Sequence, residues 1–120
     1  MIDDASPLLP QSRATFDALF PLLRPGGEFV LEDWSWAHAP IEVWPKQEPL
    51  TSLVAEAVIA SAHSPGVVEA IEIDRAWALI RRGPDPIDPD GFSLSQLVGE
   101  RGRAMVAAMT EAGFQPGGAR

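Results

Sequence analysis

Two short apolar runs, each ending in a pair of acidic residues, organise the hydrophobic and polar positions of this chain. The first run is residues 1–2, and the second, 29–31, follows the Pro-Gly-Gly turn at 25–27. Short apolar runs bounded by turn residues are typical of strands buried in a parallel sheet. The acids that end the two runs are Asp3 and Asp4, and Glu32 and Asp33.

The position of these acids at strand ends suggests a ligand site. Neighbouring parallel strands end at the same end of a sheet, and this is where ligands gather in open α/β folds. Carboxylates from two such strands predict a cation site. The alternative is that the acids are solvated loop residues, and the spacing leaves both interpretations open.

Apolar residues recur with helical spacing between the two runs. They follow the positions i, i+3, i+4 and i+7 on one helix face: Phe16, Leu19, Phe20 and Leu23. Pro10 suits the first turn of this helix, and Pro21 should bend or end it. Gln11, Arg13 and Asp17 can face water. Strand, helix and strand in this order form a βαβ unit.

The following segments predict a second helix and a hairpin. The helical pattern at 50–58 stops at the Ser-Pro-Gly of 64–66. Residues 67–73 and 76–80 favour two strands, and the short turn at 74–75 makes them antiparallel. The predicted fold class is therefore α/β, with a mixed sheet of about four strands that ends in an antiparallel hairpin.

A long loop separates the second strand from the second helix. Residues 34–49 contain three tryptophans and several prolines, which argue against a regular element. The tryptophans either plug the rim of the core or wall a substrate pocket, as long loops at the carboxyl end of a sheet often do. They are Trp34, Trp36 and Trp44.

The C-terminal region reads as a linker followed by helix. Residues 83–91 are rich in proline and aspartate, and 93–109 has a helical pattern. Gly99 and Gly102 should weaken its middle, so two short helices or one frayed helix are expected.

Composition narrows the range of functions. The 120 residues carry a formal net charge of -8, and Arg81-Arg82 is a thin basic cluster, which argues against a nucleic-acid partner. The sequence has no cysteine, so disulfides, thiolate zinc sites and a cysteine nucleophile are excluded. No apolar run approaches the ~20 residues of a membrane span, and no signal peptide precedes the first acids. A cytoplasmic protein is expected.

The predicted element order and several local motifs resemble one enzyme family. The order β-α-β-α-β-β is that of the C-terminal half of a class I S-adenosylmethionine-dependent methyltransferase. Local motifs resemble the macrolide-sugar O-methyltransferases of the mycinamicin and tylosin type. The resemblance covers roughly residues 1–83, with 84–120 as the linker and C-terminal helical segment. Its motifs are Ile2-Asp3-Asp4-Ala5-Ser6, Arg13-Ala14-Thr15-Phe16, Leu19-Phe20-Pro21, Leu23-Arg24-Pro25-Gly26-Gly27 and Leu31-Glu32-Asp33-Trp34.

This resemblance implies S-adenosylmethionine and Mg²⁺ as cofactors and a small-molecule hydroxyl as acceptor. Asp4 and Asp33 would hold the metal, with Asp3 and Glu32 as supporting neighbours. Magnesium prefers carboxylates and water, which agrees with these residue types. A bound metal would lower the pKa of the acceptor hydroxyl, which would then attack the sulfonium methyl.

The sequence departs from the family at two places. The histidine that serves as general base in relatives is replaced by Pro7, which cannot take a proton; His38, in the following loop, is a weak candidate to replace it. The glycine-rich cofactor-binding motif of the family would precede the first motif seen here. The catalytic and cofactor-binding residues therefore remain unassigned, and the chain is expected to be incomplete or inactive alone.

A non-catalytic role is the alternative from a different class. The chain opens inside a predicted strand, so we expect either that an N-terminal portion is missing or that translation starts late in a longer ancestor. The free flank of that strand would be a pairing liability. The chain would then persist by dimerising through this flank or by completing another chain.

Overall fold

The computed structural model describes residues 2–3, 9–32 and 50–113. In these ranges the helices and strands follow one another in the order that the sequence predicts. Two 3₁₀ helices, 20–22 and 94–98, extend the regular elements. The elements in chain order are β1 (Ile2–Asp3), α1 (Leu9–Leu19), β2 (Glu28–Glu32), α2 (Thr51–His63), β3 (Val68–Ile73), β4 (Trp77–Arg82) and α3 (Gly99–Gly113).

The sheet is built on three antiparallel-paired strands. β4 lies between β2 and β3 and is antiparallel to both, and β1 pairs in parallel with the other side of β2, so the order is β1-β2-β4-β3. The predicted hairpin of β3 and β4 is confirmed. A register shift between Val68 and Ala70 marks a β-bulge, which explains why strict alternation in β3 does not identify its inward side chains.

Proline and glycine end α1 and lead the chain into β2. The α-helix stops at Leu19, and the following turn tightens to a 3₁₀ helix with Pro21 in its first positions. Gly26 has a φ of 85°, a left-handed conformation that favours glycine. Its N–H donates to the carbonyl of Arg82 at 2.8 Å, which joins this turn to the end of β4.

The core lies on one face of the sheet. Phe29 and Leu31 of β2 and Ala78 and Ile80 of β4 are fully buried on that face, as alternation along the strands requires. Side chains of α1 and α2 with their flanking turns, of β3 and of the C-terminal segment complete this cluster: Phe16, Phe20, Leu50, Leu53, Val54, Ala57, Ala60, Val68, Leu94 and Val98. The face with Val30, Glu32, Trp77 and Leu79 is called the outer face below.

The predicted interruption of the C-terminal helix lies at Gly99. This residue has a φ of 71° and separates the 3₁₀ helix from α3. Gly102 is buried inside α3, where an added Cβ would lie 2.8 Å from both Ile59 Cγ2 and Val98 Cβ. Its lack of a side chain therefore allows α3 to approach α2 closely, which a propensity argument does not reveal.

Gln11 is exposed, as the sequence predicts, whereas Arg13 and Asp17 are half-buried and bind other parts of the fold. The Arg13 guanidinium forms a salt bridge with the buried carboxylate of Glu56 in α2. Asp17 Oδ1 accepts a hydrogen bond of 3.1 Å from the backbone N–H of Leu94. Both residues thus tie α1 to elements far away in sequence, and helical periodicity cannot reveal such partners.

The environment of Asp17 makes stability depend on pH. Burial raises the pKa of its carboxyl above the ordinary value, and Glu56 adds to this, whereas the Leu94 N–H and Arg13 oppose it. The native state therefore binds this proton more tightly than the unfolded state does. Asp17's contribution to stability is then lost as the pH rises from the ordinary Asp pKa of about 3.9 through the raised one.

Replacing Asp17 with asparagine should therefore stabilise the protein at pH 7, because the amide keeps an acceptor for Leu94 and removes the desolvated charge. The gain should vanish near pH 3.5, where the wild-type carboxyl is largely protonated. Asp17→Ala is the control, and it should be about 1 kcal/mol less stable than Asp17→Asn, because it also lacks the hydrogen bond from Leu94. Urea unfolding at both pH values measures this, and an equal Asn effect at both would contradict the electrostatic explanation.

Candidate functional site

The two strands that end in acids are adjacent and parallel. Ile2 pairs with Val30 and Asp3 with Leu31, so β1 and β2 end at the same end of the sheet, at Asp3 and Glu32. Neighbouring strands are about 4.8 Å apart. The sequence prediction that these strand ends lie side by side is confirmed. This end of the sheet, where β1 and β2 finish and β4 begins, is called the carboxyl end.

Glu32 is the last residue of β2 and is half-buried on the outer face. Its neighbour Leu31 points into the core, so the Glu32 side chain lies on the opposite side of the sheet. The register pairs it with Trp77 at the start of β4. A carboxylate and an indole therefore lie next to each other at the carboxyl end.

Several predicted site residues lie outside the described residues. Asp3, the end of β1, is described. Asp4 and Asp33 come directly after the described strands and lie outside the described residues. Their assignment as metal ligands stays a prediction. Within 9–32 and 50–113 no group of three or more metal-ligating side chains could hold an ion. The other predicted site residues outside the described ranges are Pro7, Trp34, Trp36, His38 and Trp44.

Sequence reasoning assigned Trp77 to a strand and missed its place beside Glu32. The hairpin turn fixes the backbone at Trp77. Asp74 Oδ1 accepts hydrogen bonds from the backbone N–H groups of Ala76 at 2.7 Å and Trp77 at 3.0 Å. The Asp74 N–H in turn donates to the Trp77 carbonyl at 3.0 Å. The Asp-x-x-Trp spacing of this turn could have predicted the hydrogen bonds to Asp74. In Asx turns the Asp side chain typically accepts from backbone N–H groups two or three residues later.

His63 lies at the other end of the sheet. It is the last residue of α2, shortly before β3 begins, and β3 runs in the same direction as β2. Its Nδ1 is 3.3 Å from Ser64 Oγ, and its ring lies against Gly99. These contacts give His63 a role at the start of α3, away from the carboxyl end.

The basic pair at the end of β4 is engaged within the fold. Arg81 Nη2 donates to Glu28 Oε2 at 2.8 Å, and this hydrogen bond raises the pKa of the guanidinium. Arg82 is buried and donates to the carbonyls of Gly83 at 2.9 Å and Asp85 at 3.1 Å. Neither arginine forms an open anion-binding patch.

No helix among the described residues is long and apolar enough to cross a membrane.

No protein-family model matches the chain, and no protein of curated function matches it. Among solved structures, the proteins similar to this chain include S-adenosylmethionine-dependent methyltransferases. The chain therefore resembles a methyltransferase, as the sequence motifs predict.

Two of the similar structures are of the MycE methyltransferase from the mycinamycin biosynthetic pathway. One, in complex with Mg, SAH and mycinamycin VI, is 28% identical, has a TM-score of 0.55 and matches over 69% of this chain. A second, in complex with Mg and SAH, is 27% identical with a TM-score of 0.54 and the same coverage of this chain. The chain covers 25% and 26% of those chains, about a quarter of their length.

Proposed function

We propose that this chain is the C-terminal part of an S-adenosylmethionine-dependent, magnesium-assisted O-methyltransferase with a Rossmann-like sheet of four strands. The observation that carries the proposal is the parallel pairing of β1 and β2, which end together at Asp3 and Glu32. The similarity to MycE structures that hold Mg and SAH supports it. The proposed acceptor is a hydroxyl of a sugar or another natural product.

The donor set suits magnesium. Asp4 and Asp33, each one residue beyond a described strand end, are the proposed ligands, with Asp3 and Glu32 as supporting neighbours. Magnesium is usually held by one or two carboxylates together with water and substrate oxygens. The adjacent strand ends therefore supply the right chemistry without a dedicated protein cage.

The residues of this chain would act mainly by positioning. When bound, the metal lowers the pKa of an acceptor hydroxyl, and S-adenosylmethionine provides the methyl group. The strand-end carboxylates would fix the position of the metal and orient the hydroxyls, because rigid strands hold geometry better than loops. Pro7 can accept no proton, so the general base stays unassigned, with His38 as a weak candidate.

The proposed activity belongs to a larger unit than these residues, because the chain spans about a quarter of the MycE length. The cofactor-binding glycine-rich motif of the family has no counterpart here, so that pocket would come from another segment or chain.

The lack of cysteine fits a reducing compartment, which supports a cytoplasmic location.

Titration calorimetry with Mg²⁺ tests the metal assignment on the full chain. Asp33→Asn should weaken binding by about tenfold or more, because an amide lacks the charge that holds a hard cation. Asp90→Asn is the matched control, since Asp90 is an exposed aspartate in the turn after β4. It should bind as the wild type does. Unchanged affinity in Asp33→Asn would overturn the metal site.

A further inference from the structure

We draw no further inference here: the strongest candidate, the exposed apolar face of α3 that carries Met105 and Met109, is a helix face for which nothing in the structure shows what covers it.

Discussion

Truncating Phe16 to alanine is expected to lower the free energy of unfolding by about 4 kcal/mol, within the usual range for a fully buried aromatic residue. Phe16 is completely buried at the centre of a ring cluster. Its ring centroid is 4.7 Å from Phe20 in a stacked arrangement, 5.0 Å from Phe29 edge to face, and 6.3 Å from Phe92. The truncation therefore removes contacts with the first 3₁₀ helix, β2 and the segment before the second 3₁₀ helix.

Losing these contacts should also loosen the candidate site, because Phe29 belongs to the strand that ends at Glu32. Phe16→Leu keeps most of the volume and should cost about 1 kcal/mol. Phe92→Ala is a second comparison, since Phe92 is only partly buried at the margin of the core. Urea unfolding with fluorescence detection gives all three values. Equal losses for Phe16→Ala and Phe92→Ala would show that Phe16 is not central to the core.

The sequence predicts the elements well where a pattern is local. The spacing of Phe16, Leu19 and Phe20 identifies α1, because one apolar face must point to the core wherever the helix lies. Pro21 identifies its end, since proline excludes the next helical hydrogen bond. The turn at 74–75 identifies the hairpin, because two strands joined so closely have one way to pair.

Long-range partners could not be predicted in this way. Arg13 lies on a polar position of α1, and nothing near it in sequence indicates that Glu56, 43 residues later, is buried against it. Gly102 reads as a helix weakener, whereas the close contact of α3 with Ile59 explains its presence. Propensity describes a residue in isolation, and packing between distant elements overrides it.

In the candidate site, too, local patterns predict one part, and the other part depends on long-range pairing. The position of Asp3 and Glu32 at one end of the sheet follows from two local patterns and the parallel pairing of a βαβ unit, so sequence reasoning found it. The pairing of Glu32 with Trp77 depends on the order in which strands enter the sheet. β4 inserts between β2 and β3, and a sequence that only shows a hairpin does not reveal which strand lies next to β2.

Replacing Arg13 with alanine is expected to destabilise the protein more than replacing its partner Glu56. Arg13 donates to Glu56 Oε1 at 3.0 Å and to Ser95 Oγ at 3.0 Å, and a second guanidinium nitrogen reaches Glu56 Oε2. Ser95 Oγ donates to Glu56 Oε1 at 2.7 Å. The three residues thus join α1, α2 and the second 3₁₀ helix through one charged network.

Arg13→Ala should cost more than Glu56→Ala because the two side chains are buried to different extents. The Glu56 side chain is 5% exposed, and that of Arg13 is 26% exposed. Without Arg13 the Glu56 carboxylate is left in the interior with a hydrogen bond from Ser95 and with the like charge of Asp17 close by, which should cost about 3 kcal/mol. Without Glu56 the guanidinium can turn to water, so Glu56→Ala should cost about 2 kcal/mol. Arg13→Lys keeps the charge but loses the two-pronged geometry and should fall between the wild type and Arg13→Ala.

A double-mutant cycle measures the coupling that this network implies. Arg13→Ala combined with Glu56→Ala should lose less than the two single changes together, since no charge is left buried in the double variant. Added salt should change the coupling little, because a pair this buried is poorly screened. If the losses add, or if Glu56→Ala costs more than Arg13→Ala, the pair is not the buried anchor between α1 and α2 that its contacts indicate.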